Sequence, residues 1–390
     1  MVPSLLMQNT AGSRPPRYPE LDGLRGIAIL LVVAYHYDLA PSLSGVDLFF
    51  VLSGFLLGGI LLDKQEAPNY FKAFYTRRFC RILPLYFVCL LVFLILLPLT
   101  LGWLGEDPHY FGDYFGNSFE EMPLGYSLPL WTYFTFTHNF AMAQLGGWGT
   151  LWLGHTWSLA VEEQFYLFLP FFIRSFSREK LPYLLVGLIL SAPLLRAFFY
   201  AFHPHGGLAF YVLMPCRVDA LLLGVLGAYA IRNERCLNLL RMHTKALYGV
   251  LAVFLAAGAA LTVLSRLLVP TAYQPLVAAS YGYSWLPLVY SCLVLIAVTE
   301  KRGLVTLVTR IRPLRWLAVL AFGVFVLHIP ILIIFQRLTS LGLLPQAGSH
   351  YIIPLGAFLL TLMLASISWM FFERRIVAWG RSFKYGDATR

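Results

Sequence analysis

Charge is what this chain has little of. Only 12% of its 390 residues are Asp, Glu, Lys or Arg, while 59% are hydrophobic. A soluble domain of that length needs far more charge to cover its surface, so the composition excludes one and indicates an integral membrane protein. Cysteine is scarce as well. The five present (Cys80, Cys89, Cys216, Cys236 and Cys292) show no metal-ligand spacing, so neither a metal site nor a disulfide framework is expected. No internal repeat, low-complexity tract or appended soluble domain is visible, and the paired half-repeats of many secondary transporters are missing with them.

What is there is apolar run after apolar run. A span needs about 20 mostly apolar residues, and scanning at that length gives ten candidates, roughly 23–40, 44–62, 82–104, 157–174, 181–201, 212–231, 246–268, 281–299, 315–336 and 351–372. The aromatic stretch LWTYFTFTHNFAMA, near 130–143, is too short to cross and reads as interfacial or re-entrant. The first run has no small-residue cleavage pattern after it, so it is not a signal peptide. The expected fold is an all-α polytopic membrane protein.

Basic residues orient it, since Lys and Arg accumulate in short cytoplasmic loops. With the N-terminus inside, 24 of the 29 Lys and Arg fall on the cytoplasmic side. The segment GEDPHYFGDYFGNSFEEM carries five acids and neither Lys nor Arg, which assigns it to the outside. Counting 130–143 as a crossing would put the basic loop at 174–180 outside. Ten spans with both termini cytoplasmic is the consistent solution. The net charge of +10 then reflects a basic face against an anionic leaflet and implies no nucleic-acid partner.

Ionisable groups at membrane depth are costly and tend to face a functional interior. In RGIAILLVVAYH, Arg25 and His36 lie eleven residues apart, which returns to nearly the same helix face at about 16 Å along the axis. The structural alternative is an arginine snorkelling to the inner headgroups and a histidine anchoring the outer interface. In FYTRRFCRILPLYF, Arg78 and Arg81 are three apart where a loop enters the third span; taken alone they read first as a positive-inside anchor, and they also suit a phosphate-bearing ligand. In HTWSLAVEEQFYLFLP, the adjacent carboxylates Glu162 and Glu163 follow Trp157 and Ser158 into a span and need partners or a polar cavity.

These stretches occur in order with YPELDGLRGIAILLVVAYHY, GVDLFFVLSGFLLG, MPCRVDALLLGVLGA, FGVFVLHIPILII and FFERR. Together they resemble the membrane-bound acyltransferase-3 family. The resemblance covers about residues 18–375, leaving a cytoplasmic tail at 1–17 and another at 376–390. It implies the stand-alone form, without the C-terminal SGNH hydrolase-like domain of many relatives. It also implies transfer of an acyl group, most often acetyl from acetyl-CoA, to a hydroxyl of a membrane-associated or extracytoplasmic acceptor. Acceptors of such relatives include lipopolysaccharide O-antigen, exopolysaccharide and other surface glycans, and macrolides. A lipid-linked saccharide fits the same description, and the implied location is the bacterial cytoplasmic (inner) membrane.

The family's arginine–histidine pair matches Arg25 and His36, its paired arginines match Arg78 and Arg81, and its tryptophan-serine-leucine…glutamate-glutamate motif matches Trp157, Ser158, Leu159, Glu162 and Glu163. On this reading Arg78 and Arg81 hold the CoA phosphates with help from Arg25, and the pantetheine arm threads the thioester towards His36. His36 then acts as general base. Glu162 or Glu163 orients the imidazole or binds acceptor hydroxyls. Trp157, Ser158 or a backbone amide stabilises the oxyanion, and Ser158 as a covalent nucleophile ranks below direct transfer. Asp47 lines the acceptor side. Arg217, another substrate or oxyanion candidate, is two residues from Asp219, so the two require separate partners. His328 either packs beside Pro330 or acts in catalysis. His109, His138, His155, His203, His205, His243 and His350 are expected at interfaces or in loops. The alternative from a different class is a secondary transporter or flippase for a lipid-linked or polar substrate; a non-catalytic acyl-CoA sensor ranks below both.

Overall fold

The computed structural model describes residues 18–39, 45–96, 128–150, 152–269, 277–345 and 349–386; among them the regular elements are helical and no strand occurs. Helices α1 (Pro19–His36), α2 (Gly45–Asp63) and α3 (Tyr70–Leu90, continued by a π-helical turn, Leu91–Leu96) come first. Two short helices follow, α4 (Leu130–Phe134) and α5 (His138–Leu145), then a 3-10 turn (Gly154–Thr156) that opens into α6 (Trp157–Ser175). The remaining helices are α7 (Leu181–Phe202), α8 (Gly206–Val212), α9 (Met214–Ala230), α10 (Glu234–Met242), α11 (Thr244–Leu268), α12 (Tyr283–Thr299), α13 (Leu304–Thr309), α14 (Arg312–Ser340), α15 (Ser349–Ser368) and α16 (Arg374–Ser382).

Eight helical segments among the described residues are long and apolar enough to cross a membrane: α2, α3 with its π turn, α7, Gly207–Ala230, α11, Ser280–Thr299, α14 and Tyr351–Ser382. The chain is a multi-pass membrane protein. The two remaining expected spans form as α1 and α6, but each is more polar. Helix α1 carries Glu20, Asp22 and Arg25, and α6 carries Glu162, Glu163 and Arg174. The aromatic stretch near 130–143 forms α4 and α5, of five and eight residues, each too short to cross. Residues 1–17 and the acidic segment at 105–122 lie outside the described residues.

One boundary differs from expectation in a way that matters. Helix α3 begins at Tyr70, twelve residues before the expected start of the third span, so Arg78 and Arg81 sit two turns or more inside a helix rather than at its N-terminus. A helix dipole therefore adds nothing to them, because its effect fades within the first turn. The extension is held by aromatic side chains: Tyr70 and Phe74 are buried, the Tyr70 hydroxyl donates to the Pro170 carbonyl, and the Tyr75 hydroxyl donates to that of Leu167. A basic stretch with an aromatic stripe folds onto its neighbour as an amphipathic helix.

Helices α2 and α14 form the centre. The apolar stretch of α14 is 78% buried and that of α2 72%, against 11% for the peripheral α11. Close crossings bring the charged helix α1 into this centre. A Cβ on Gly26 would stand 2.1 Å from the Leu314 carbonyl oxygen, and one on Gly54 only 1.8 Å from that of Leu221. Glycine alone lets the α1–α14 and α2–α9 backbones meet at these points, a common device between membrane helices.

One end of the bundle is tied together by its basic segments. Arg232 pairs with Asp63 at 2.6 Å, Arg310 with Glu20 at 2.6 Å, and Arg178 donates to the Leu62 carbonyl. Arg77 donates to the Phe383 carbonyl and Asn69 to that of Lys384. Helix α1 leaves this end at Pro19 and carries His36 to the opposite one; α6 runs the other way, from Trp157 back to Arg174.

Candidate active site

Two clusters line α1, one at each end. Near the basic end, Arg25, Arg78 and Arg81 lie within electrostatic reach of one another, with Glu162 and Tyr166 beside Arg25 and Glu373 beside Arg81. Arg81 is further committed, its guanidinium resting 5.3 Å over the Trp369 ring. Arg78 makes no hydrogen bond or ion pair among the described residues. Three guanidiniums held together repel one another, and the carboxylates of Asp22, Glu162, Glu163 and Glu373 offset that repulsion.

Glu162 and Glu163 belong to this cluster. Glu162 accepts from the Ser53 hydroxyl at 3.1 Å and from the Tyr166 hydroxyl at 2.7 Å, and both carboxyls feel Arg78. Oε1 of Glu163 is buried without a hydrogen-bond partner among the described residues. The hydrogen bonds of the His36 ring go elsewhere. Neither glutamate hydrogen-bonds to the imidazole; its Nδ1 neighbour from another helix is different.

That neighbour is a second histidine. Nδ1 of His36 lies 2.9 Å from the Val32 carbonyl oxygen and 3.1 Å from Nε2 of His328. His328 is fully buried in α14; its Nδ1 lies 2.7 Å from the Phe325 carbonyl oxygen and 3.2 Å from that of Val324, and its own carbonyl accepts from the Tyr37 hydroxyl at 3.1 Å. His155 completes the group, with its ring centroid 4.9 Å from His328 and 6.4 Å from His36. It is buried, and neither of its ring nitrogens makes a well-formed hydrogen bond among the described residues. The expectation of an interfacial or loop position fails for His155 and also for His138.

His138 has a structural task. The Thr156 hydroxyl donates to the Leu153 carbonyl at 2.6 Å, so Nε2 of His138, 3.2 Å away, must donate to Thr156. Its ring stacks on Tyr133, whose hydroxyl accepts from the Thr150 amide. Gln164 of α6 then ties in α5, donating to the Phe136 carbonyl and to Asn139. These bonds hold the segment that carries His155, Trp157 and Ser158. The Ser158 hydroxyl is buried and spends its proton on the His155 carbonyl at 3.4 Å; Trp157 is buried against Phe50 and Tyr211.

The buried arginines pair across helices. Arg217 meets Asp47 at 2.5 Å within a cage of Phe50, Trp157, Tyr211 and Tyr283, the last ring 4.6 Å away. Asp219 pairs with Arg196 at 3.0 Å and accepts from Ser284, so Arg217 and Asp219 do have separate partners. Asp47 and Arg217 therefore sit beside the Trp157 motif and lock α2 to α9.

Arg25, His36, Glu162 and Glu163 are packed among the helices yet keep accessible surface. The geometry puts a cluster of guanidiniums near one end of α1 and a cluster of imidazoles at the other.

Comparison with known proteins gives the family of the chain. A profile describing an acyltransferase domain, that of the acyltransferase-3 family, matches residues 18–373. The chain is 28% identical over 326 residues to the peptidoglycan O-acetyltransferase OatA of Listeria monocytogenes, covering 80% of this chain and 49% of that protein. It is 28% identical over 378 residues to YrhL of Bacillus subtilis, provisionally named a peptidoglycan O-acetyltransferase, covering 94% and 56%. A provisionally named O-acetyltransferase of Staphylococcus aureus is 30% identical over 225 residues, covering 54% and 34%. The chain thus spans about half the length of the first two relatives and a third of the last. No solved structure matches it. On the extent of the matched profile, nearly the whole of the described chain, the protein belongs to the membrane-bound acyltransferase-3 family.

Proposed function

We propose that the chain is an O-acyltransferase that takes an acyl group, acetyl foremost, from acyl-CoA bound at its basic end. The acceptor is a hydroxyl of a cell-wall or other surface glycan, as the names of the relatives suggest. The observation that carries this reading is the placement of Arg25, Arg78 and Arg81 together, with His36 on the same face of α1 as Arg25 and about 16 Å further along the axis. CoA phosphates are too polar to enter a bilayer, but the pantetheine arm is long and thin. Phosphates held at the basic end leave the thioester to be threaded inward.

In the reaction the unprotonated ring nitrogen of His36 removes the proton of the acceptor hydroxyl as its oxygen attacks the thioester carbonyl. The resulting oxyanion collapses, the carbon–sulfur bond breaks, and the leaving CoA thiolate takes the proton from the imidazolium. Glu162 and Glu163 offset the positive charge of Arg25 and Arg78. Positive-inside orientation gives the basic end a cytoplasmic location, with α1 and α6 completing ten crossings. A bacterial inner membrane suits a cytoplasmic donor and an external acceptor.

The test is release of free CoA thiol from acetyl-CoA by purified protein, with peptidoglycan fragments, other glycans and macrolides as acceptors, and CoA binding measured in parallel. His36→Ala is expected to bind CoA and lose turnover; Arg78→Ala with Arg81→Ala is expected to lose affinity. If wild-type protein neither binds CoA nor releases thiol with any acceptor, the reading is wrong and transport of a lipid-linked substrate replaces it.

A further inference from the structure

The hydrogen bonds around His36 determine which of its two ring nitrogens is the base. Nδ1 of His328 faces two carbonyl oxygens, those of Phe325 at 2.7 Å and Val324 at 3.2 Å. Carbonyls only accept, so this nitrogen carries the N–H, and in a neutral ring Nε2 is then a lone pair. That lone pair points at Nδ1 of His36, 3.1 Å away, and the same Nδ1 faces the Val32 carbonyl at 2.9 Å. Both neighbours of His36 Nδ1 accept. The proton of His36 must therefore sit on Nδ1, leaving Nε2 unprotonated. Tautomers assigned in this way follow from the partners alone.

We infer that His328 is a positioning residue for the transfer reaction: together with the Val32 carbonyl it selects the tautomer of His36 that presents Nε2 as the proton acceptor, and it holds the ring at that angle. The inference rests on the reading of His36 as general base. It extends to the charged state, because when Nε2 gains a proton the Nδ1–H bond to His328 becomes charge-assisted and shortens. The support of His328 is itself built in. The Tyr37 hydroxyl, one residue beyond His36, donates to the His328 carbonyl, coupling the end of α1 to α14. Val32 alone would restrain Nδ1 only from within α1. His328 adds a restraint from a second helix, which fixes the ring against rotation.

Three variants test this. His328→Phe keeps the volume and removes the acceptor, whereas His328→Gln returns a carbonyl oxygen near the position of Nε2. His328→Phe is expected to lower kcat about 10²-fold, since losing the orienting partner of an imidazole base costs up to about 10⁴-fold in triad enzymes. KM for acetyl-CoA and CoA affinity should stay at wild-type values, and His328→Gln should recover about tenfold of the loss. Wild-type kcat in His328→Phe beside an inactive His36→Ala overturns this inference and leaves the base reading standing. Equal loss in the Phe and Gln variants, accompanied by weaker CoA binding, also overturns it, because that pattern is a packing defect. Turnover retained in His36→Ala overturns the base reading and this inference with it. A readout independent of turnover is ¹⁵N NMR of labelled histidine: His36 should show protonated Nδ1 and bare Nε2 in wild type, and a tautomer mixture in His328→Phe. An unchanged tautomer in that variant refutes the role given to His328.

Discussion

Arg78 offers a sharp test of the donor site, because like Arg25 it makes no hydrogen bond or ion pair among the described residues, so its removal breaks no such bond within the bundle. Arg77 donates to the Phe383 carbonyl and rests 4.9 Å over the Tyr385 ring, and Arg81 rests over Trp369 near Glu373, while Arg78 makes no hydrogen bond or ion pair among the described residues. A charge-assisted contact to phosphate contributes about 1.5–3 kcal/mol, so Arg78→Ala should weaken CoA binding about 10- to 150-fold. Folding stability should change by no more than about 1 kcal/mol, since no hydrogen bond or ion pair within the chain is lost and the repulsion with Arg25 and Arg81 is relieved together with the attraction to Glu162 and Glu163. Arg77→Ala, the control, should lower the thermal midpoint and leave CoA affinity within about threefold. Equilibrium titration with CoA and with dephospho-CoA, in both proteins, forms a double cycle: if Arg78 grips the 3′-phosphate, removing both should cost no more than removing one. The affinity of wild-type protein should also fall as salt rises. Unchanged CoA affinity in Arg78→Ala, or an equal loss in Arg77→Ala, would refute the assignment of phosphates to this cluster.

The remaining expectations concern how the site is held. Asp47→Ala strands the buried Arg217 guanidinium and should cost about 3–5 kcal/mol in chemical denaturation, whereas Asp47→Leu combined with Arg217→Leu should recover most of that stability; a double variant as unstable as the single one would contradict a pairing role. Asp63→Ala removes an ion pair whose partners are 29% and 39% exposed, so its effect should be about 1 kcal/mol or less, and a larger shift in midpoint would count against a peripheral role. Gly54→Leu forces the α2 and α9 backbones apart and should destabilise by at least about 1–3 kcal/mol, while Gly147→Ala, with nothing within 4 Å of its Cβ, should leave the melting curve unchanged. Gln164→Leu strands the Phe136 carbonyl and Asn139, at about 1–3 kcal/mol, and limited proteolysis within 128–150 should accelerate; an unaltered digestion pattern would remove Gln164 from the set of anchors.

Much of this protein is legible in order along the chain, because the bilayer imposes a length and a polarity on each span. Apolar runs at Leu181, Thr244 and Tyr283 become helices within about three residues of where hydropathy puts them. The start of α3 escapes that method, since Tyr70, Phe71, Phe74 and Tyr75 bury an aromatic stripe while Lys72, Arg77 and Arg78 keep the local hydropathy low. The spacing of Arg25 and His36 is a local property of one helix, and the i, i+3 spacing of Arg78 and Arg81 is another; both are fixed by 3.6 residues per turn. His155 was within reach of the same reasoning, two residues before Trp157 in HTWSL, but a histidine beside a turn carries no sign of depth.

What required the tertiary structure is every contact between helices. His36 meets His328 across 292 positions of sequence, and Asp47 meets Arg217 across 170. No periodicity encodes such pairs. They depend on glycine-lined crossings that bring α1 against α14 and α2 against α9, and on how far each helix is rotated when it packs. The sequence by itself determined a multi-pass helical protein with a cation and an imidazole on one face of its first helix. Only the packing of the other helices decided that Arg78 and Arg81 join the cation and that His328 and His155 join the imidazole, because side chains on separate helices acquire neighbours only when the bundle closes.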